Sequence, residues 1–95
     1  MSEPEVVVSY QLHLREGCPY CEAALELVKE RSLEYHATIH NRGALGLIEE
    51  QTRYDHHTVP VITKTILVEG EEEEILFIGG YTELKTHLEE ETNNG

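Results

Sequence analysis

Across 95 residues there are only two cysteines, three prolines, one phenylalanine and no tryptophan. The cysteines, Cys18 and Cys21, stand too close together for a disulfide between them to restrain the unfolded chain much, which excludes a fold held by such staples. Basic residues are scarce as well: seven Lys and Arg against nineteen Asp and Glu give a formal charge of -12. That surplus repels nucleic-acid phosphates and anionic membranes, and it favours a soluble monomer. No stretch approaches the roughly 18 consecutive apolar residues of a membrane-spanning helix. The opening MSEPEVVV lacks the basic, apolar and small-residue order of a secretory signal, so a cytoplasmic protein is expected. What is present, 39% hydrophobic and 27% charged residues, is the composition of one globular domain over residues 1–95.

The first strong pattern runs from Val6 to Leu14. Val6, Val8, Tyr10, Leu12 and Leu14 alternate with Val7, Ser9, Gln11 and His13, the two-residue period of a strand. Arg15, Glu16 and Gly17 break it, and a helix is predicted to begin at Cys18, because Pro19 suits the first helical position, where no N–H is needed. The helix runs to about Arg31, with Cys21, Ala24, Leu25 and Val28 at the i, i+3, i+4, i+7 spacing of an inward stripe. Cys18 is then expected at the exposed tip, and Cys21 one turn in, facing inward. Tyr35, Ala37 and Ile39 alternate with His36, Thr38 and His40, which predicts a second strand parallel to the first through a right-handed crossover.

A weaker helix follows Gly43, with Leu45, Ile48 and Thr52 on one side and Gly46 costing about 1 kcal/mol relative to alanine. Two β-rich runs, from Val59 to Lys64 or Val68 and from Ile75 to Ile78, predict a hairpin around an acidic tip. The four glutamates Glu71 to Glu74 in that tip read as a solvated loop. After Gly79 and Gly80, a last helix from about Thr82 to Glu90 turns Leu84 and Leu88 inward. The predicted order is β-α-β-α-β-β-α.

The spacing Cys-x-x-Cys carries the chemistry. A zinc ribbon needs a second ligand pair roughly three to five residues apart, and His56 and His57 are adjacent, so no metal is expected. Two packed small hydrophobes are a poor reading of cysteines separated by Pro19-Tyr20 at a helix start. A reversible dithiol remains. Only the thiolate attacks, and an ordinary cysteine, with a pKa of about 8.5, is mostly protonated at neutral pH. A helix start offers unpaired N–H groups and the positive end of the dipole, and Arg15 adds a cation; Cys18 is therefore the expected nucleophile. The net charge of -12 pushes the other way, but charges more than about 8 Å away are largely screened at physiological ionic strength. Cys21 is expected to attack the mixed disulfide formed on Cys18 and release the product.

Three segments carry a family resemblance: Arg15-Glu16-Gly17 leading into Cys18-Pro19-Tyr20-Cys21, then Thr58-Val59-Pro60, then Gly79-Gly80-Tyr81-Thr82-Glu83-Leu84. Together they resemble the signature segments of dithiol glutaredoxins, and the likeness spans about Val6 to Leu88. It implies a thioredoxin-like α/β fold, a four-stranded mixed sheet flanked by helices on both faces, with a cis peptide bond before Pro60. The implied activity is glutathione-dependent reduction of protein disulfides and protein–glutathione mixed disulfides. Glutathione is the implied reductant, and ribonucleotide reductase is a protein partner at the level of the family.

The resemblance also assigns tasks. Thr58, Val59 and Pro60 would present a backbone edge to the cysteinyl unit of glutathione. Gly80, Tyr81, Thr82 and Glu83 would hold its γ-glutamyl carboxylate, with Thr82 doubling as a helix cap. Arg15 would pair with the glycyl carboxylate, and Tyr20 would wall the sulfur. Glu83 stands where the family commonly has Asp, His57 precedes Thr58 where a cation is common, and the hairpin is longer than in compact members. Other readings are a redoxin fed by thioredoxin reductase and a glutathione-ligated 2Fe-2S module, the latter disfavoured by Pro19. A docking module acting through its acidic face is the alternative of another class. His13, His36, His40 and His87 read as structural or surface residues.

Overall fold

The computed structural model describes residues 4–41 and 43–93. The elements follow in the predicted order: β1 (Val6–Arg15), α1 (Pro19–Glu30), β2 (Tyr35–His40), α2 (Leu45–Arg53), β3 (Val61–Val68), β4 (Glu74–Gly79) and α3 (Tyr81–Asn93). They build a four-stranded sheet in the order β2-β1-β3-β4. β1 runs parallel to β2 and antiparallel to β3, and β3 is antiparallel to β4. Tyr10, Leu12 and Leu14 of β1, with Ile62 of β3, meet Ala24 and Val28 of α1 and Leu84 and Leu88 of α3 in one core. α2 lies on the opposite face, where Tyr54 at its C-cap stacks on Phe77 with ring centroids 4.7 Å apart. This is the mixed α/β sandwich of a thioredoxin-like fold.

α1 forms where its signals agree: Cys18 caps it, Pro19 opens it, Glu22 lies in the first turn and Lys29 in the last, each matching the helix dipole. α2 has no side-chain cap on Ala44, and its predicted inner side is corrected by the structure. Leu47 is the buried residue, at 4% exposure, whereas Leu45 is 76% exposed and Ile48 also faces out. The His40 ring lies so close to Gly46 that a Cβ there would sit 3.4 Å from it. A Cβ at that distance would make ordinary van der Waals contact.

Three further boundaries differ. Val59 and Pro60 lie in the loop before β3, and α3 starts one residue earlier than expected and runs on to Asn93. The alternation of Val6 and Val8 with their neighbours is that of a strand, yet both are exposed, because β1 extends past the helices that cover Tyr10 to Leu14. This overrun belongs to a molecule 50 Å long and 27 Å by 19 Å across. Among the described residues, no helix is long and apolar enough to cross a membrane.

One charged side chain lies inside the sandwich. Lys64 is only 7% exposed and pairs in register with Tyr10, over whose ring its Nζ lies 5.7 Å from the centroid. Its ammonium meets His87 Nε2 at 3.1 Å and the Glu91 carboxylate, both on α3. These bonds hold the Glu91 carboxyl below the ordinary glutamate value, with Lys64 as the leading cause. A depressed acid stabilises the fold above its unfolded value, about 4.3, and that contribution is lost as pH falls through the lower folded value. Lys64→Ala should therefore lower stability by about 1 to 2 kcal/mol near neutral pH, read as a lower urea midpoint at unchanged slope. Glu91→Gln should flatten the loss of stability between pH 5 and 3, roughly the range in which an ordinary glutamate titrates.

Candidate active site

β1 ends at Arg15, and a turn through Glu16 and Gly17 delivers Cys18 to the head of α1. Gly17 has φ 69°, a left-handed backbone that side chains resist. Cys18 keeps an extended backbone at the N-cap, and its Sγ accepts the Cys21 amide N–H at 3.3 Å. Its carbonyl accepts the Glu22 N–H at 3.0 Å, which closes the first helical turn. The sulfur thus meets an amide donor at the positive end of the helix dipole.

Both thiols are unoxidised, and both are buried, Cys18 at 6% exposure and Cys21 at 2%. The expectation of an exposed Cys18 is thus corrected. The sulfur is the floor of a cleft of about 380 Å³, walled by Arg15, Tyr20, Gln51, His57, Thr58 and Val59. The loop before β3 folds over the helix start and covers it. The inward placement of Cys21 holds, and burial together with its hydrogen bond to Cys18 pushes its thiol up to about 12. One sulfur faces the groove, and the other keeps its proton.

The cleft over Cys18 shares Tyr20, Thr58 and Val59 with a neighbouring cleft of about 280 Å³, which reaches Pro60 and the turn from Gly80 to Glu83. The structure therefore brings Arg15, Cys18, Tyr20, Thr58, Val59, Pro60, Gly80, Tyr81, Thr82 and Glu83 to one continuous groove, with Cys21 just behind it. The Val59–Pro60 bond is cis and Pro60 is buried. Tyr20 and Tyr81 flank the groove with ring centroids 6.3 Å apart.

Gly80, rather than Thr82, caps α3. Its carbonyl accepts the Leu84 N–H at 3.0 Å, and its own N–H donates to Glu83 Oε1 at 2.8 Å. That is the return half of a capping box, supplied by Glu83 at the third helical position. Gly79 has φ 123°, and a Cβ on it would sit 2.8 Å from the Glu83 carboxylate, so the two glycines make room for the cap. Thr82 stands exposed at the second helical position.

Two residues of the site escaped the sequence reading. Gln51 Nε2 donates to the Thr58 carbonyl at 3.2 Å, and His56 Nε2 lies 3.1 Å from Thr58 Oγ1, so both hold the loop that covers Cys18. The one signal for Gln51 was its place a helical turn after Leu47; His56 had none. His57 lines the cleft, and its Nε2 lies 2.9 Å from Asp55 Oδ1. His13 and His40 stack at 5.3 Å on the α2 side, and burial keeps His13 below the usual imidazole value. Among the described residues, no group of three or more His, Cys, Asp or Glu is arranged to hold a metal ion.

No family model matches the sequence, and no curated protein does either. Among solved structures, the chain is similar to the crystal structure of glutaredoxin 1 from Francisella tularensis complexed with cacodylate. The TM-score is 0.62 at 26% sequence identity, over 92% of this chain and 99% of the other. A thioredoxin-like fold with paired thiols, similar over nearly its whole length to a glutaredoxin, is a protein of the thiol-disulfide oxidoreductase kind. The asymmetry of its thiols is open to direct test. Iodoacetamide at neutral pH should label Cys18, with Cys21 modified only after unfolding; peptide mass spectrometry showing equal labelling would contradict it.

Proposed function

We propose that the protein is a glutathione-dependent thiol-disulfide oxidoreductase that reduces protein disulfides and protein–glutathione mixed disulfides. The observation that carries this reading is the amide-capped Cys18 sulfur on a cleft that adjoins a second cleft at the start of α3. In this reading the cysteinyl unit of glutathione lies along the Thr58-Val59-Pro60 backbone, with its sulfur over Cys18. The γ-glutamyl carboxylate takes the first amides of α3, at Tyr81, Thr82 and Glu83, which have no partner inside the helix. The Gly80 amide is already committed to Glu83. The second oxygen of Glu83 is left to receive the γ-glutamyl ammonium. At the other end Arg15 meets the glycyl carboxylate, and Tyr20 closes over the sulfur.

The Cys18 thiolate attacks the glutathione sulfur of a mixed disulfide, the protein thiolate leaves, and a second glutathione restores Cys18 as glutathione disulfide forms. With a protein disulfide, Cys18 displaces one sulfur, and Cys21 then gives up its proton and displaces the other, leaving the Cys18–Cys21 disulfide for two glutathiones to reduce. A coupled assay of NADPH consumption with glutathione and glutathione reductase, beside one with thioredoxin reductase, tests the choice of reductant; turnover only in the second would overturn it.

Cys18→Ser should abolish reduction of glutathione mixed disulfides, while Cys21→Ser should keep much of it, because that reaction uses the attacking thiol alone; equal loss in both would contradict the assigned roles. Arg15→Ala should raise KM for a glutathionylated substrate more than it lowers kcat, and an unchanged KM would remove Arg15 from the binding groove.

A further inference from the structure

β1 enters the sheet before β2 joins it. Val6 pairs with Val68 of β3 and Val8 with Ile66, whereas pairing with β2 begins only where Tyr10 meets Tyr35. Backbone groups alternate sides along a strand. The Tyr10 N–H donates to the Glu34 carbonyl on the β2 side, and the Glu5 carbonyl accepts the Glu69 N–H on the β3 side. Val6 and Val8 therefore turn their N–H and C=O groups the way Tyr10 does. No strand stands there among the described residues, because the chain ahead of β2 comes from α1, where the Leu33 N–H bonds the Val28 carbonyl.

β1 thus offers a short open edge, and its side chains are apolar and uncovered: Val6, Val7 and Val8 are 56%, 42% and 36% exposed. Such an edge is a template for another strand. Val7 and its register partner Leu67 line a cleft of about 200 Å³ whose other walls are Glu5 and Glu69. Glu71 to Glu74 follow at the same end of the sheet, between β3 and the start of β4. Among the described residues, none of these carboxylates is ion-paired with a lysine, arginine or histidine.

We infer that the Val6–Val8 edge docks an extended, basic segment of a partner polypeptide, which joins the sheet as a fifth strand. Free backbone donors and acceptors select a polypeptide, and the surrounding carboxylates select a cationic one while repelling nucleic acid and anionic lipid. They also oppose a second copy of this chain, which brings a formal charge of -12 of its own. A lysine or arginine matches both parts of the cleft: its methylene stem lies on Val7 and Leu67, and its cation reaches Glu5 and Glu69. Strand spacing of about 4.8 Å brings that side chain alongside Val7. Val8 lies seven residues before Arg15 on β1, roughly 23 Å away at about 3.3 Å per residue. The edge is therefore remote from the thiol groove, and the inference does not rest on the oxidoreductase reading.

The probe is an acetylated, amidated octapeptide of four Lys-Val repeats, titrated into the full chain at low salt and followed by amide chemical shifts. Binding should saturate, with the largest shifts at Val6 to Val8 and Leu67, and should weaken severalfold at about 0.5 M salt. The same peptide with every amide N-methylated keeps its charge but cannot pair as a strand, and it should bind at least about tenfold more weakly. A peptide of Glu-Val repeats should not bind. Val8→Pro removes an N–H that faces away from β3, and Val7→Lys puts a cation into the cleft; each should weaken binding about tenfold. Unchanged labelling of Cys18 by iodoacetamide reports an intact fold, and Val7→Lys, at an exposed position, decides the matter should Val8→Pro fail to fold. Absence of saturable binding, equal binding of the N-methylated peptide, shifts confined to the thiol groove, or affinity unchanged in Val7→Lys would overturn the inference. So would a dimer of the free protein that the peptide does not dissociate, which would assign the edge to a second copy.

Discussion

The bond from the Cys21 amide to the Cys18 sulfur, 3.3 Å long, is the contact on which the rest of the site is arranged. It makes a sulfur do what a serine or aspartate oxygen does at most helix starts: satisfy a backbone donor that the helix itself leaves unpaired. The consequence is electrical. The positive end of the dipole lies at the head of α1, while the second sulfur, a turn further in and enclosed by the core, is pushed up to about 12. Two identical side chains thereby acquire separate surroundings from a difference in depth of one helical turn.

The opposite end of the groove repeats the theme. α3 begins beside α1, as the nearness of Tyr20 and Tyr81 shows, so two helix heads face a shared space. In a protein with a formal charge of -12, these partial positive ends and Arg15 border the two clefts. Gly79 and Gly80 are needed because the Glu83 carboxylate folds back over them as the cap. One oxygen of that acid is thereby engaged by the fold.

Support for the loop before β3 comes from the far face of the sheet. Gln51 on α2 and His56 after it hold Thr58, and the Tyr54–Phe77 stack ties the end of α2 to β4. The single helix on that face therefore acts on the thiol groove without touching a sulfur. Beyond both layers, β1, β3 and β4 run on past the helices towards the glutamate-rich turn, whose charges stay in water.

Periodicity carried most of the architecture: alternation over Val6 to Leu14 and Tyr35 to Ile39 marks strands, Pro19 marks a helix start, and the paired glycines mark another. It carried these because strand and helix periods and backbone restrictions act within a few neighbouring residues. It went astray at α2, where nine residues with no side-chain cap hold too little local signal to orient themselves, and Leu47 rather than Leu45 or Ile48 is the buried residue. The residue types of the site, two sulfurs, an arginine and a Thr-Val-Pro run, were legible for the same local reason. Their meeting in one groove, the burial of Cys18 beneath the loop before β3 and the Gln51 and His56 struts were decided by tertiary packing alone, because each depends on atoms that segments distant in sequence bring within a few ångströms.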